Sequence, residues 1–453
     1  VDSQGMLCSA KELGIEDDHS GILPLAADAP IGRDVRELLE LDDSVFTLKL
    51  TPNRADCLSL LGVAREVAAI TGVVFSAPAI APVAAKSDAH FPVKISAADG
   101  CGRFAARVIR NVNAAAPVPA WMKQRLARAG QRSISALVDV TNYVMLELGR
   151  PLHVYDLDKL AGGIDVRYGR KGERLKLLNE QDVEVDGTVL CITDASGPIG
   201  LAGIMGGDST KAETNSRNIF LESAFFSPDA VAGRARRYNF TSDAAHRFER
   251  GVDFDNNVAG IERATELILA ICGGEPGPTA DHVARLPERK PVRLRSARAA
   301  KVLGIDVGDA EIAAIFSRLG LASVSTADGF EVTPPSYRFD IAIEEDLIEE
   351  IARIYGYERI PANQPRTLAA MSPQREAARP LLRVKEAIAA RDYQEVINFS
   401  FVDADWERDF CGNDAPVKLM NPISSQLSVM RSGLAGSLVA NVRYNLNRKQ
   451  DRV

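Results

Sequence analysis

Nowhere in these 453 residues is there an apolar run of roughly 18 or more, the length a membrane-spanning helix requires. The opening residues, VDSQGMLCSA, lack the basic segment and apolar core of a secretory leader, and Val1 is not an initiator, so the sequence is expected to start inside a longer chain. Cysteine is sparse and scattered. Cys8, Cys57, Cys101, Cys191, Cys272 and Cys411 never form a CxxC pair, so the spacing suggests neither a zinc site nor a disulfide framework, and a reducing cytoplasm fits. Basic charge is also short: Lys and Arg number 54 against 61 Asp and Glu, for a net charge of −7. That balance argues against a globally basic nucleic-acid binder while leaving room for one local basic surface.

What is present suits folded domains. Hydrophobic residues make up 46% and charged residues 25%, and at about 150 residues per domain the length predicts about three domains. Residues 45–50 alternate as a strand should, TPN makes a turn, and a helix follows that ends at Gly72. Leu61, Ala64, Val67 and Ala68 give that helix a small-residue inner face suited to packing on a sheet. The repeated prolines of residues 76–86 predict a linker. From Phe91 to Pro287 strands and helices mix: ALVDVTNYVMLEL has helical amphipathicity, GGIDVRYGR follows as a strand, and ERATELILAICGG is a helix stopped by paired glycines. The class is multidomain α+β. VRLRSARAAKVLGI and GDAEIAAIFSRLGL then predict two short helices, the second capped by Gly308 or Asp309 and closed by Leu319 and Gly320. Arg293, Arg295, Arg298 and Lys301 lend this pair a modest basic signal, for which a scaffold role is the better account. Residues 361–373 read as a second linker, and beyond Arg375 an amphipathic helix and a buried strand, EVINFSFV, are expected.

The most readable stretch is residues 336–357, SYRFDIAIEEDLIEEIARIYGY. Leu347, Ile351 and Ile354, with Ile348 and Tyr355 beside them, make one helix face apolar. Asp346, Glu349 and Glu350 fall at i, i+3 and i+4 and are expected side by side on the solvent face, with Asp340 on the approach to complete the group. Like charges this close repel. Two readings remain open: a hard cation such as magnesium, which suits carboxylates with no His or Cys nearby, or a solvated helix whose acids favour its N-terminal half.

RFDIAIEEDLIEEIARIYGYERIP resembles, almost residue for residue, a segment of the beta subunit of bacterial phenylalanyl-tRNA synthetases. The resemblance implies that Asp340, Asp346, Glu349 and Glu350 bind magnesium at the contact with an alpha subunit. It extends along the chain and implies a domain plan. Residues 1–35 would be the remnant of a tRNA-binding oligonucleotide-fold domain, and 36–80 a small α/β core piece bearing the intact family pattern TPNRADCLS, read first as structural. Residues 91–288 would be a mixed α/β editing domain and 289–363 a small winged-helix-like helical domain. Residues 370–453 would be a truncated, catalytically silent, antiparallel piece of a class II synthetase fold.

The same resemblance assembles an editing pocket from distant pieces: Thr141 and Asn142, His153, Gly206 and Gly207, Glu222, Ser242 and Ala244. Ser242 stands where relatives often carry threonine, keeping the hydroxyl and losing a methyl. A second sieve has a physical motive, because an apolar phenylalanine pocket rejects the added hydroxyl of tyrosine by only about 10². Glu222 would accept the tyrosine phenol, an acceptor that phenylalanine would leave unpaired at about 1–3 kcal/mol. The glycines would allow close backbone approach, Ala244 would keep the pocket floor small, and His153 would orient water or hold a ribose hydroxyl. Around Met430, Arg431 and Ser432 the sequence offers only the arginine of a class II ATP site. ATP is therefore expected on the alpha subunit of an α2β2 enzyme that charges tRNA(Phe). A free-standing editing deacylase and a non-enzymatic RNA-binding scaffold are the alternatives; the acidic helix argues against the first and the net charge against the second.

Overall fold

Every residue of the strand Ile219–Phe226 is buried, and that strand organises the larger part of the molecule. The computed structural model describes residues 5–15, 19–362, 364, 367–373 and 375–452, and its chain divides into two units, residues 1–362 and 363–453. In the first unit Ile219–Phe226 lies between Cys101–Arg110 and His153–Asp156, antiparallel to both, and Glu275–Pro276 and Ala280–Val283 pair with the far side of Cys101–Arg110. A second five-stranded sheet runs Val93–Ile95, Ile164–Tyr168, Leu190–Asp194, Gly197–Leu201, Met205–Gly206, with only its first pair parallel.

Burial on both faces explains why IFLESAFF carries almost no polar alternation. One face of the Ile219–Phe226 sheet packs Phe104, Ala106, Phe220 and Ala224 against Val166, Ile192 and Leu201 of the second sheet. The opposite face packs Ala105, Ile109, Ile219 and Leu221 against the helices Ala136–Leu148 and Asn257–Cys272. Each large apolar side chain so buried contributes about 1.5–3 kcal/mol. Both helices stop where glycine takes a positive φ, Gly149 at 71° and Gly273 at 67°, the second being the stop expected from the paired glycines.

Residues 292–357 form a third core. Val292–Arg295, Gly329–Thr333 and Ala322–Thr326 make a small antiparallel sheet, covered by the helices Ser296–Leu303, Asp309–Arg318 and Glu344–Tyr355. VRLR, expected to begin a helix, is instead the first strand, because its alternation puts Val292 and Leu294 in the core and both arginines outside.

Three other expectations are corrected. Residues 45–50 form no strand among the described residues: Val45, Phe46 and Leu48 are exposed, and no ladder pairs them. The regular structure of the 36–80 piece is thus helical alone, its main element Leu60–Thr71, with irregular chain around it. That helix buries Gly62, Ala68 and Ala69 against neighbouring helices and leaves Ala64 and Val67 exposed. Residues 5–15 and 19–35 hold turns and no strand, and the remainder of the expected oligonucleotide-fold remnant, 1–4 and 16–18, lies outside the described residues. So do 363, 365, 366 and 374 in the second expected linker.

The second unit contains the helices Leu381–Ala389, Ala404–Cys411 and Ala435–Leu446 and one antiparallel pair, Phe401–Val402 with Val429–Met430. EVINFSFV is a strand only over its last two residues, and Ile397 and Phe399 are exposed, with no strand pairing them among the described residues.

Candidate active site

In an antiparallel ladder directly opposed residues project from the same face, with Cβ atoms about 4.5–5.5 Å apart. The register of His153–Asp156 on Ile219–Phe226 places His153 opposite Glu222 and Tyr155 opposite Phe220. Glu222, 6% exposed, therefore lies beside both His153 and Tyr155. Tyr155 donates its phenolic hydrogen to Glu222 Oε2 at 2.6 Å. Burial pushes the Glu222 carboxyl up to about 7, and the Tyr155 hydrogen bond opposes that rise. His153 stands edge-on to the Tyr155 ring, centroids 4.4 Å apart. Burial takes its pKa down to about 4, so the imidazole is neutral near pH 7, and its Nε2 is buried without a hydrogen-bond partner.

Gly206 is required by that ring. A Cβ at position 206 would lie 2.4 Å from His153 Cε1 and 2.6 Å from Nε2. Gly207 answers to the sheet instead: a Cβ there would fall 2.5 Å from the Ile199 carbonyl oxygen, to which its own amide donates. Ala244 is half-buried against the same core face as Tyr155 and Phe220.

Ser242 has a different task from the expected one. Its Oγ caps the helix Asp243–Phe248 by accepting from the Ala245 amide at 3.1 Å and donates to the Ile204 carbonyl at 2.7 Å. The hydroxyl thus ties the helix bearing Ala244 to the segment entering Gly206. Thr141 and Asn142 lie on Ala136–Leu148, whose apolar side covers the sheet face opposite Glu222. The Thr141 hydroxyl donates to the Val138 carbonyl at 2.7 Å, and neither residue hydrogen-bonds Glu222 or His153 among the described residues.

Two residues beside the site are absent from the sequence reading. Tyr155 sits two positions after His153, so in a strand the two must share a face, a signal available in HVYD. Arg150 is fully buried, with Nε on Asn256 Oδ1 and Nη1 on the Ala224 carbonyl, and so braces the Glu222 strand two residues past Glu222.

The acidic group does not form an oxygen cage. Glu350, expected on the solvent face, is 1% exposed. Its Oε2 accepts from Arg338 Nη1 at 3.0 Å and Arg353 Nη2 at 2.8 Å, and its Oε1 from Arg353 Nε. Both Asp340 oxygens accept from Arg338, at 2.9 and 2.8 Å. Asp346 caps its own helix, accepting from the Ala342 and Ile343 amides, and Glu349 alone faces solvent. Guanidinium groups stand where a magnesium ion would need open carboxylate oxygens, and no cluster of three or more metal-ligating side chains occurs among the described residues. The four residues in this arrangement do not fit the ion. The basic signal upstream is likewise neutralised internally: Arg293 pairs with Asp328, Arg295 with Glu344 and Arg298 with Glu345.

Three family models match the chain: the B3/4 domain at residues 100–273, the tRNA synthetase B5 domain at 292–357, and the phenylalanyl tRNA synthetase beta chain CLM domain at 360–453. Curated relatives named phenylalanine–tRNA ligase beta subunit are 60% identical over 453 residues in Burkholderia pseudomallei (strain 1710b) and 61% over 457 residues in Cupriavidus pinatubonensis. Each alignment covers 100% of this chain and 56% of the relative, so the chain spans about half the length of the curated relatives it matches. A solved N-terminal fragment of a phenylalanyl-tRNA synthetase beta subunit from Pyrococcus horikoshii covers 72% of this chain and 95% of its own at 14% identity, with a TM-score of 0.35.

Proposed function

We propose, from the premise that this chain belongs to the phenylalanine–tRNA ligase beta-subunit family, that it carries a hydrolytic site which removes tyrosine from mischarged tRNA(Phe). An alpha subunit holds ATP and joins phenylalanine to the same tRNA, and the two chains work together in the cytoplasm. Residues 91–288 are assigned the editing role, 289–363 and 370–453 a scaffold role toward the alpha subunit. No step is assigned to magnesium.

The observation that carries this reading is the ladder register that sets His153 directly opposite Glu222. A buried carboxyl that ionises near neutrality is a selective acceptor for a phenol. Tyrosine would satisfy the oxygen that Tyr155 does not hold, and phenylalanine would leave it unpaired. His153, neutral and with an unpartnered Nε2, is placed to orient a water or a ribose hydroxyl by hydrogen bonding. With a pKa of about 4 it is too weak a base to hold a proton near pH 7, so its part is orientation. Gly206 admits the ring, and Ser242 fixes the helix that brings Ala244 to the same core face.

The test is deacylation of Tyr-tRNA(Phe) by the full-length chain assembled with its alpha subunit. Glu222→Ala is expected to abolish the preference for tyrosyl over phenylalanyl ester. An unchanged preference in that variant would remove the assignment.

A further inference from the structure

Glu222 already holds a phenol, and it belongs to the protein. The Tyr155 hydroxyl lies 2.6 Å from Glu222 Oε2, and the tyrosine is 1% exposed. Its ring is fixed by the edge contact with His153 and a tilted contact with Phe220 at 6.0 Å. Its backbone pairs with Phe220 on one side and Lys211 on the other. A side chain held on that many sides cannot swing away to let a ligand take its place. A carboxylate, however, has two oxygens, and each accepts independently.

We propose that Tyr155 is a specificity-positioning residue: by fixing Glu222 Oε2 it aims Oε1 as the acceptor for a second, incoming phenol. This inference rests on the proposed hydrolytic reading and names how that site is set. Alongside the geometry, the electrostatics agree. The titratable groups around Glu222 are Tyr155 and His153 on the partner strand and Cys101 on the other neighbour. Burial holds all three in their neutral forms, with the carboxylate itself raising Tyr155 and Cys101 further. No Lys or Arg pairs with Glu222 among the described residues, so the Tyr155 hydrogen bond is what favours its ionised, accepting form.

The experiment compares wild type, Tyr155→Phe and Glu222→Gln by two readouts. Infrared titration of this chain, with Glu222→Gln as the difference reference, reads the protonation of the carboxyl at 222. Deacylation of Tyr-tRNA(Phe) against Phe-tRNA(Phe) by the full-length assembled enzyme, across pH, reads selectivity. Tyr155→Phe is expected to raise the titration midpoint by about one to two pH units. It should lower tyrosine selectivity about tenfold near pH 7, with recovery at higher pH as the carboxyl ionises. Glu222→Gln should lose both the selectivity and its pH dependence. An unmoved midpoint, or a wild-type selectivity profile in Tyr155→Phe, would make Tyr155 a packing residue and overturn the inference. A moved midpoint in an enzyme whose wild type hydrolyses no Tyr-tRNA would instead overturn the hydrolytic reading, and the phenol role with it.

Discussion

Arg338 and Glu350 form an ion pair at 3.0 Å in which each side chain is 2% exposed, the most deeply buried pairing in the molecule's described part. It belongs to a chain of charges: Arg353 joins Glu350 to Glu66, and Arg54 joins Glu66 to Asp56. The acidic helix is thereby tied to the segment TPNRADCLS and the helix after it, which gives that segment the structural role expected of it.

Removing one partner of a buried pair strands the other charge. Arg338→Met is therefore expected to destabilise the chain by about 3–5 kcal/mol, since it strips Asp340 of its guanidinium donor and leaves buried Glu350 with Arg353 alone. Thermal or urea unfolding measures this. The same scans should be indifferent to millimolar magnesium or to a chelator, because the carboxylate oxygens are already engaged. A midpoint that rises by several degrees with magnesium would restore the cage reading.

The buried Glu222 makes stability depend on pH in a definite direction. Its folded pKa, about 7, lies above the ordinary value of 4.5. Below 4.5 the group is protonated in both states and the folded chain keeps the full benefit. Between 4.5 and about 7 the unfolded chain releases the proton more readily, so stability falls as pH rises. At about 1.4 kcal/mol per unit the upper limit of that loss is about 3 kcal/mol. Glu222→Gln should flatten the slope, and parallel pH profiles of melting temperature for wild type and variant would refute the burial account.

Ser242 separates capping from catalysis. Ser242→Ala should lose about 0.5–2 kcal/mol from the lost cap together with the bond to Ile204. Ser242→Thr should keep stability and hydrolysis, since both bonds need only the hydroxyl. A stable Ser242→Ala protein without hydrolytic activity would give the hydroxyl a direct catalytic task.

Much of the local structure was legible because it is local. The paired glycines at 273 and 274 end their helix wherever the rest of the chain lies, and GGIDVRYGR holds its strand, Ile164–Tyr168, where its composition indicates. What cannot be read locally is partnership. Tyr155 and Glu222 are 67 positions apart, and only the ladder register makes them neighbours. Glu350 is the mixed case: Arg353 three residues on is a local partner that the spacing offers, Arg338 reaches it from ahead of the helix, and the next link, Arg353 to Glu66, spans 287 positions. Val45, Phe46 and Leu48 failed in the converse way: alternation gives a segment the pattern of a strand, but a strand forms only beside another.

The contact between Gly206 and His153 makes the sharpest mutational test of the site. A methyl at position 206 would overlap the imidazole at 2.4 Å. Gly206 lies on a two-residue edge strand, so the ring moves before the buried His153 strand does. Gly206→Ala should therefore lower hydrolysis of Tyr-tRNA(Phe) by about 10²-fold, the loss a displacement of about 1 Å produces in a positioned group, while unfolding midpoints shift only modestly. Gly207→Ala acts on the Ile199 carbonyl and should instead destabilise the sheet, with activity per folded molecule retained. Kinetics and melting of the two variants side by side decide the matter: equal effects of both on stability and turnover would mean that the His153 ring has no part in the chemistry.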